Sequence, residues 1–336
     1  MTGLYRPVNI GNTLRIPGNL FLGPVAGYTD RAFRSICRSA GADFSYTELI
    51  SAEALARHTG PVERSKTWPL IRPGEGEGPY GVQLFSGNPD ALYRAVLMLE
   101  AVQPSLVDIN CGCPVPKVVK AGAGSALMRD PLLLGRIVKA AVRASQAALG
   151  GVPITVKLRS GWDGDSINYR EAACAAVEAG AALVALHPRT RAQGYSGSSD
   201  WSHIADLAAR LAVPVAGSGD LASPACGERM LRETGCAAAL FARGALGNPF
   251  IFAETRSLLL GEPYNPPQNE ERIALAFRHL QLLAGDRGEY AACREMRKQF
   301  CAYTRGIPGG ARLRDALVHA ASIEEYRAVF HPLATT

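Results

Sequence analysis

The chain has 336 residues, of which 47% are hydrophobic and 20% charged. Such apolar content without low-complexity runs excludes disorder, and the length exceeds one ordinary domain of about 100–200 residues. Lys and Arg together outnumber Asp and Glu by 36 to 30, a net +6 that permits an anionic partner without demanding one.

Short β-like runs recur along the chain, each followed by an Ala/Leu-rich amphipathic stretch. The expected strands are Leu20–Ala26, Phe44–Thr47, Tyr80–Phe85, Leu106–Asn110, Ile154–Arg159, Leu183–His187, Val213–Gly217 and Ala238–Ala242. Most are continuously apolar, as parallel strands covered on both faces are. Helices are expected at Asp30–Ser39, Pro89–Val102, Leu132–Leu149, Tyr169–Ala179, Trp201–Arg210 and Ser223–Thr234, several opened by a capping residue and a proline (Asn88-Pro89, Asp130-Pro131, Ser223-Pro224). Eight such units predict an α/β fold, a (β/α)8 TIM barrel of roughly 250 residues, rather than an open doubly wound sheet. The remaining residues hold no strand pattern. Gly261–Gln268 reads as a linker, and helices are expected near Glu270–Ala284, Tyr290–Thr304, Gly310–Val318 and Ile323–His331. The predicted division is therefore a barrel over 1–260 and a helical domain over 261–336.

The start of the chain lacks the charged-then-apolar plan of a signal peptide, and no apolar run nears the roughly 18 residues of a membrane span. Eight scattered cysteines fit a reduced, cytoplasmic setting; Cys37, Cys174, Cys226, Cys236 and Cys293 read as small core or helix residues.

A barrel builds its active site from the loops that leave the strand C-termini. The first such loop, Gly23-Pro24-Val25-Ala26-Gly27-Tyr28-Thr29-Asp30, has small residues that let backbone approach a flat ligand. Gln83 offers an amide, and alternation puts Lys157 and Arg159 on one side of their strand. His187-Pro188-Arg189-Thr190-Arg191 follows the sixth strand. Gly217-Ser218-Gly219-Asp220 and Ala242-Arg243-Gly244-Ala245 follow the seventh and eighth, the pair of loops that frequently forms the phosphate site of a barrel, with Arg243 as a charged contact. The fourth strand leads into Asp108-Ile109-Asn110-Cys111-Gly112-Cys113-Pro114. Two cysteines one residue apart lack the usual zinc spacing of two to four residues and a second Cys/His pair nearby. No metal is expected, and Cys113, between Gly112 and Pro114, reads as an exposed working thiol.

The motifs GPVAGYTDRAFR, GVQLFSGNP, DINCGCPVPKVVKAGAGSALM, VKLRSGW, HPRTRAQGYSG and AGSGD resemble those of the flavin-dependent tRNA-dihydrouridine synthases, from Gly23 to about Ala321. The C-terminal REMRKQFCAYTRGIPGGARLR looks most like the bacterial B-type branch. The resemblance implies an FMN at the barrel mouth and reduction of a uridine C5=C6 bond in tRNA. Hydride would pass from the flavin to C6, Cys113 would protonate C5, and NADPH would regenerate the flavin. It carries FMN contacts onto Pro24, Val25, Ala26, Gln83, Lys157, His187, Ser218, Gly219, Asp220, Ala242 and Arg243, and puts Asn110 where the target uracil is held. Val25 stands where Met is usual and Ala242 where Gly is usual, both expected to contribute backbone groups. Gln299 stands where His is common.

Folded RNA requires basic surface away from the flavin. Between Ala291 and Arg314 six basic residues face one acidic residue, and Arg294, Arg297, Lys298, Cys301 and Arg305 share a helical face with Ala292, Met296 and Tyr303 opposite. Arg294, Arg297 and Lys298, with Arg189 and Arg191, are the expected tRNA contacts, and the helical segment the expected tRNA-binding domain. Rival readings are a dihydroorotate dehydrogenase-like reductase of a free pyrimidine, which needs no such basic surface, and a tRNA-binding factor without catalysis, which needs no Cys113, Lys157 or His187.

Overall fold

The computed structural model describes residues 3–330. Two short strands, β1 (Val8–Ile10) and β2 (Leu14–Ile16), form an antiparallel hairpin that the sequence pattern did not announce. Eight parallel strands then close a barrel in chain order: β3 (Leu20–Leu22), β4 (Phe44–Ser51), β5 (Tyr80–Phe85), β6 (Leu106–Cys111), β7 (Ile154–Arg159), β8 (Leu183–His187), β9 (Val215–Gly217) and β10 (Ala238–Phe241), with β10 paired to β3. The predicted (β/α)8 barrel is what forms.

The first and last strands are shorter than expected. β3 stops at Leu22, because Pro24 has no N–H to give the sheet and the Val25 carbonyl turns back to accept from the Tyr28 and Thr29 N–H groups. β4 is longer, running to Ser51 with an irregularity between Tyr46 and Leu49.

Two apolar layers follow from the alternation of each strand. Outward residues such as Val107, Ile109, Val156 and Leu158 pack under the surrounding helices. Inside, Phe21, Phe44, Leu106, Leu183, Ala216 and Leu240, near the strand starts, form a separate cluster with Val8, Ile10 and Ile16 of the hairpin. The hairpin thus stoppers the barrel floor with hydrocarbon, and polar side chains are left to the upper half.

The C-terminal part is helical, at Asn269–Arg287, Glu289–Tyr303, Gly310–Leu317 and Ile323–Phe330. His331 and the residues after it lie outside the described residues. These helices share a core of Leu280, Leu283, Met296, Phe300, Tyr303 and Tyr326, which Ala32 of the first barrel helix (Arg31–Ser39) joins. Phe33 packs on His279, their ring centres 5.4 Å apart, and Arg31 binds Asp286 with both Nε (2.9 Å) and Nη2.

Beneath the first loop lies a buried ion pair. Arg34 and Glu77 are 0% and 1% exposed; Arg34 Nε reaches Glu77 Oε1 at 2.6 Å and Nη2 reaches Oε2 at 3.0 Å. Glu77 also accepts from Ser45 Oγ and the Gly74 N–H, each at 2.6 Å, so helix, strand and loop meet on one carboxylate.

Cys37, Cys236 and Cys293 are core residues as expected, whereas Cys174 is exposed and Cys226 half-buried on their helices. Cys301, expected on an open basic face, is half-buried. No helix among the described residues is long and apolar enough to cross a membrane.

Candidate active site

Strand register stacks the polar residues of the barrel mouth in tiers. Gln83, Asp108 and Thr155 are register neighbours on β5, β6 and β7; one tier higher Asn110 lies beside Lys157, and above that Arg159 beside His187. The lower tier is hydrogen-bonded into one object. Gln83 Nε2 donates to Asp108 Oδ2 at 2.7 Å, Thr155 Oγ1 to Asp108 Oδ1 at 2.5 Å, and Asn110 Nδ2 to Gln83 Oε1 at 2.9 Å. This fixes which end of the Gln83 amide is which, and leaves Asn110 Oδ1 to accept from the N–H groups of Gly112 (3.3 Å) and Cys113 (2.9 Å).

The Cys113 loop is therefore held from below by Asn110. It is held from the side by Arg159, whose Nε donates to the Gly112 carbonyl at 2.8 Å while Nη1 donates to the carbonyls of Thr190 and Gly194, both at 2.9 Å. The Cys113 carbonyl accepts from the Ser125 N–H at 3.0 Å. Gly124 is required where the chain returns: its φ is +60°, and a Cβ there would stand 2.7 Å from the Cys113 oxygen. Cys113 remains partly exposed. Burial pushes its thiol above the ordinary value, against the pull of a Val115 backbone bond, Arg159 and Lys157, so it is a protonated thiol at neutral pH. Cys111, one pleat away, is buried and its thiol pushed well up by burial, so it is inert.

Beside the Cys113 loop, on β7 and β8, sits a set of cations with few counter-charges. Burial, then repulsion from Arg159, lowers Lys157 to about 8, with Asp108 opposing. Burial raises Asp108 to about 6 against its bonds to Thr155 and Gln83 and the charge of Lys157. His187 falls to about 2 through burial and the surrounding Lys157, Arg159, Arg189 and Arg243. It is thus neutral, and because Arg189 Nη1 donates to its Nε2 at 3.2 Å, its proton resides on Nδ1.

The β9 and β10 loops present backbone donors. The N–H groups of Gly219, Asp220, Arg243 and Gly244 have no acceptor among the described residues. Gly219 has φ +104°, and a Cβ on it would lie 2.4 Å from Ser199 Oγ and 2.9 Å from His187 Cδ2. Arg243 is half-exposed beside them, its guanidinium 4.4 Å from the Tyr195 ring centre and 3.8 Å from Asp220 Oδ1. Among the described residues no group of three His, Cys, Asp or Glu side chains is placed to hold a metal ion.

Several expected contacts have other employment. Arg189 is 2% exposed, and all five of its donors are used, on the carbonyls of Ser196 and Gly197, on His187, on Ser199 Oγ and on Asp220. It holds its own loop shut and has no donor left for RNA. The Asp220 carboxylate is likewise spent on Arg189 and the Ser199 N–H (2.8 Å), which outweigh burial and hold it below its ordinary value; only its backbone N–H is free. Val25, expected to offer backbone groups, gives its N–H to Thr29 Oγ1 and its carbonyl to the same turn, so it offers only its side chain. Pro24 and Ala26 keep open surface beside it. Ser218 is buried, its N–H donating to the Leu186 carbonyl.

On the helical part, Arg294 is exposed over Tyr290, and Arg297 turns inward to the Ala320 carbonyl at 3.2 and 3.3 Å. Lys298 donates to the Gly27 carbonyl and lies 4.5 Å from the Tyr28 ring centre, so it clasps the first barrel loop. Arg191 lies over Trp162 on the rim. Sequence reasoning gave no role to Asp108, Arg159 or Tyr195. Asp108 was named only where the fourth strand leads into its loop and Arg159 only as sharing a side with Lys157; Tyr195, 58% exposed with Arg159, Arg243 and His187 around it, was quoted only inside a motif.

Residues 21–333 match the family model described as dihydrouridine synthase. The chain belongs to that family. It is 46% identical over 331 residues to a probable tRNA-dihydrouridine synthase of Treponema pallidum (strain Nichols), covering 97% of this chain and 96% of the relative. It is 35% identical to tRNA-dihydrouridine synthase B of Pseudomonas aeruginosa over 93% of each chain, in line with the B-type branch read from the C-terminal motif. Among solved structures it is similar in fold to the old yellow enzyme homologue from Zymomonas mobilis, with a TM-score of 0.53 and 12% identity over 80% of this chain and 96% of that one.

Proposed function

We propose that this protein is an FMN-dependent, NADPH-driven tRNA-dihydrouridine synthase that reduces the C5=C6 bond of uridines in tRNA. The observation that carries the reading is the placement of a protonated, loop-mounted Cys113 thiol above a barrel mouth lined by Lys157, neutral His187 and the free N–H groups of two small-residue loops. Membership of the dihydrouridine synthase family supports the same reaction.

The residues fit an FMN. Its phosphate would take the N–H groups of Gly219, Asp220, Arg243 and Gly244 and the Arg243 guanidinium, and its ring system would lie across the mouth beside Pro24, Val25, Ala26, Gln83, Lys157 and His187, with Ser218 and Ala242 shaping the phosphate loops. The bound flavin would supply hydride to C6 of the uracil. The chain's own work is to hold and protonate. Gln83, its amide oriented by Asp108 and Asn110, is a fixed hydrogen-bonding edge. Lys157 presents positive charge to an electron-rich reduced ring. His187 can donate only from Nδ1. Cys113 gives its proton to C5, and a thiol kept protonated by burial suits a general acid better than a thiolate. The uridine must leave its stack to arrive there, at a cost of a few kcal/mol. Tyr195 offers an exposed ring at the entrance, and Arg294 and Arg191 offer charge for the RNA backbone.

Purified protein is expected to be yellow, to bleach with NADPH, and to reoxidise when unmodified tRNA is added anaerobically, with dihydrouridine formed in the RNA. Cys113→Ala keeps flavin and tRNA binding and loses most turnover. Protein that cannot be loaded with FMN, or that stays reduced in the presence of tRNA, refutes the reading. Oxidation by free uracil or orotate instead would establish the free-pyrimidine reductase.

A further inference from the structure

The motif VKLRSGW ends in Trp162, a residue the chemistry above does not use. The loops after β7 and β8 are zipped together on the barrel rim: the Arg191 and Ala192 N–H groups donate to the Gly161 and Trp162 carbonyls, each at 2.9 Å, and the Ser160 N–H to the Arg189 carbonyl at 3.1 Å. This pairing lifts the Trp162 ring to the surface beside two guanidinium groups. Arg191 has its Cζ 4.6 Å from the ring centre, and Arg129, which leaves the Cys113 loop at its far end, has its Cζ at 4.9 Å. Both are within the distance at which the ring quadrupole attracts a cation. Arg129 is exposed and Arg191 half-exposed, and neither forms an ion pair among the described residues.

A cavity of about 520 Å³ opens there, lined by Arg129, Trp162 and Asn168 among others. Asn168 Nδ2 donates to the Met128 carbonyl at 2.6 Å, while its Oδ1 is buried with no partner among the described residues. Of the two acidic side chains on this wall, Asp163 accepts from Ser166 Oγ, and Asp165 stands exposed without pairing either arginine. Two like charges held on one aromatic ring repel each other, and no ion pair among the described residues ties up either fork. The ring fixes their planar forks in place, so they are set to receive oxygens from outside.

We propose that Arg129, Trp162 and Arg191 form a clamp for the phosphodiester backbone of the RNA strand that carries the reacting uridine. The proposal rests on the function given above and adds the residues that seat the strand. An Arg fork suits phosphate oxygens, and phosphate contacts set register without reading sequence. The clamp is tied to the chemistry through the backbone: Arg129 ends the segment that starts at Cys113, and Arg159 bridges Gly112 to the loop that carries Arg191. A strand seated on the rim is therefore indexed to the thiol.

The test uses the full-length, FMN-loaded protein and measures tRNA affinity as a function of salt, together with dihydrouridine formation. Arg129→Gln combined with Arg191→Gln is expected to weaken tRNA binding about ten-fold, to appear in KM more than in kcat, and to flatten the plot of log affinity against log salt by one to two units. Trp162→Leu keeps both charges and loses the support that orients them, so affinity falls about three-fold with little change of slope. The flavin spectrum of each variant reports an intact site. If wild-type protein forms dihydrouridine and the double variant binds tRNA with wild-type affinity and slope, the clamp is wrong and the function stands. If wild-type protein neither binds tRNA nor forms dihydrouridine, the function and the clamp fall together.

Discussion

Replacing Asp108 with Asn removes a charge that the barrel holds at 2% exposure. The carboxyl rises from its ordinary 3.8 to about 6, mainly because burial penalises the charged form. That is about two pH units, or about 3 kcal/mol at about 1.4 kcal/mol per unit. A raised carboxyl pKa contributes stability that is fully present below the unfolded value and is lost as pH rises through the folded one. Wild-type protein therefore loses about 3 kcal/mol between roughly pH 3.8 and pH 6 from this group alone. Asn has no proton to lose, and its amide can accept from Gln83 through Oδ1 and donate to Thr155 Oγ1 through Nδ2, so both partners are kept. Urea unfolding of the two proteins across pH 4.5–7.5 at constant salt should show their difference moving steadily in favour of Asn, by most of that amount. A difference that stays constant with pH would mean that Asp108 is not carrying a buried charge. Function should move the opposite way, because Lys157 loses the carboxylate that holds it up near 8 and becomes less charged at the same pH.

Three further changes probe the supports of the site. Glu77→Gln leaves Arg34 as a buried cation with a neutral partner, and should cost about 3–5 kcal/mol in denaturant unfolding; a loss under 1 kcal/mol would show that water replaces the pair. Gly219→Ala places a methyl group against Ser199 and His187 at a backbone angle that only Gly adopts easily, so flavin content after purification should fall sharply, and full occupancy would remove these N–H groups from the phosphate site. Arg159→Lys retains charge but not the fork that ties Gly112 to Thr190 and Gly194; kcat should drop about ten- to a hundred-fold with the cofactor still bound, and unchanged kcat would free the Cys113 loop from this strap.

Leu183–His187 was legible to the residue because a strand buried on both faces leaves an apolar run, and Ile154–Arg159 because its apolar residues alternate with polar ones. The hairpin at Val8–Ile16 left none, since strands of three residues are too short to show a period. Within the site, Cys113 was legible from its Gly and Pro neighbours and from the family motif. Asp108 was not, because its burial depends on Gln83 and Thr155, which arrive from strands 25 and 47 residues away. Arg189 misled for a related reason. An arginine after a strand reads as surface charge until its own loop curls over and offers it two carbonyls and a hydroxyl, and Asp220 of the next loop adds a carboxylate.

The clasp of Lys298 on Gly27 bears on how this protein can be cut and rejoined. A chimera spliced at the linker near residue 261 would give a foreign helical part to a barrel that still carries Arg31, Ala32 and Phe33, each shaped to Asp286, to the helical core or to His279. The loop from Pro24 to Tyr28 would lose the lysine that closes it. In the folded protein, the boundary between the two parts runs through the first barrel loop and helix, some 230 residues before the place where the chain itself changes character. Exchanging the helical part between relatives therefore means moving two stretches of sequence together.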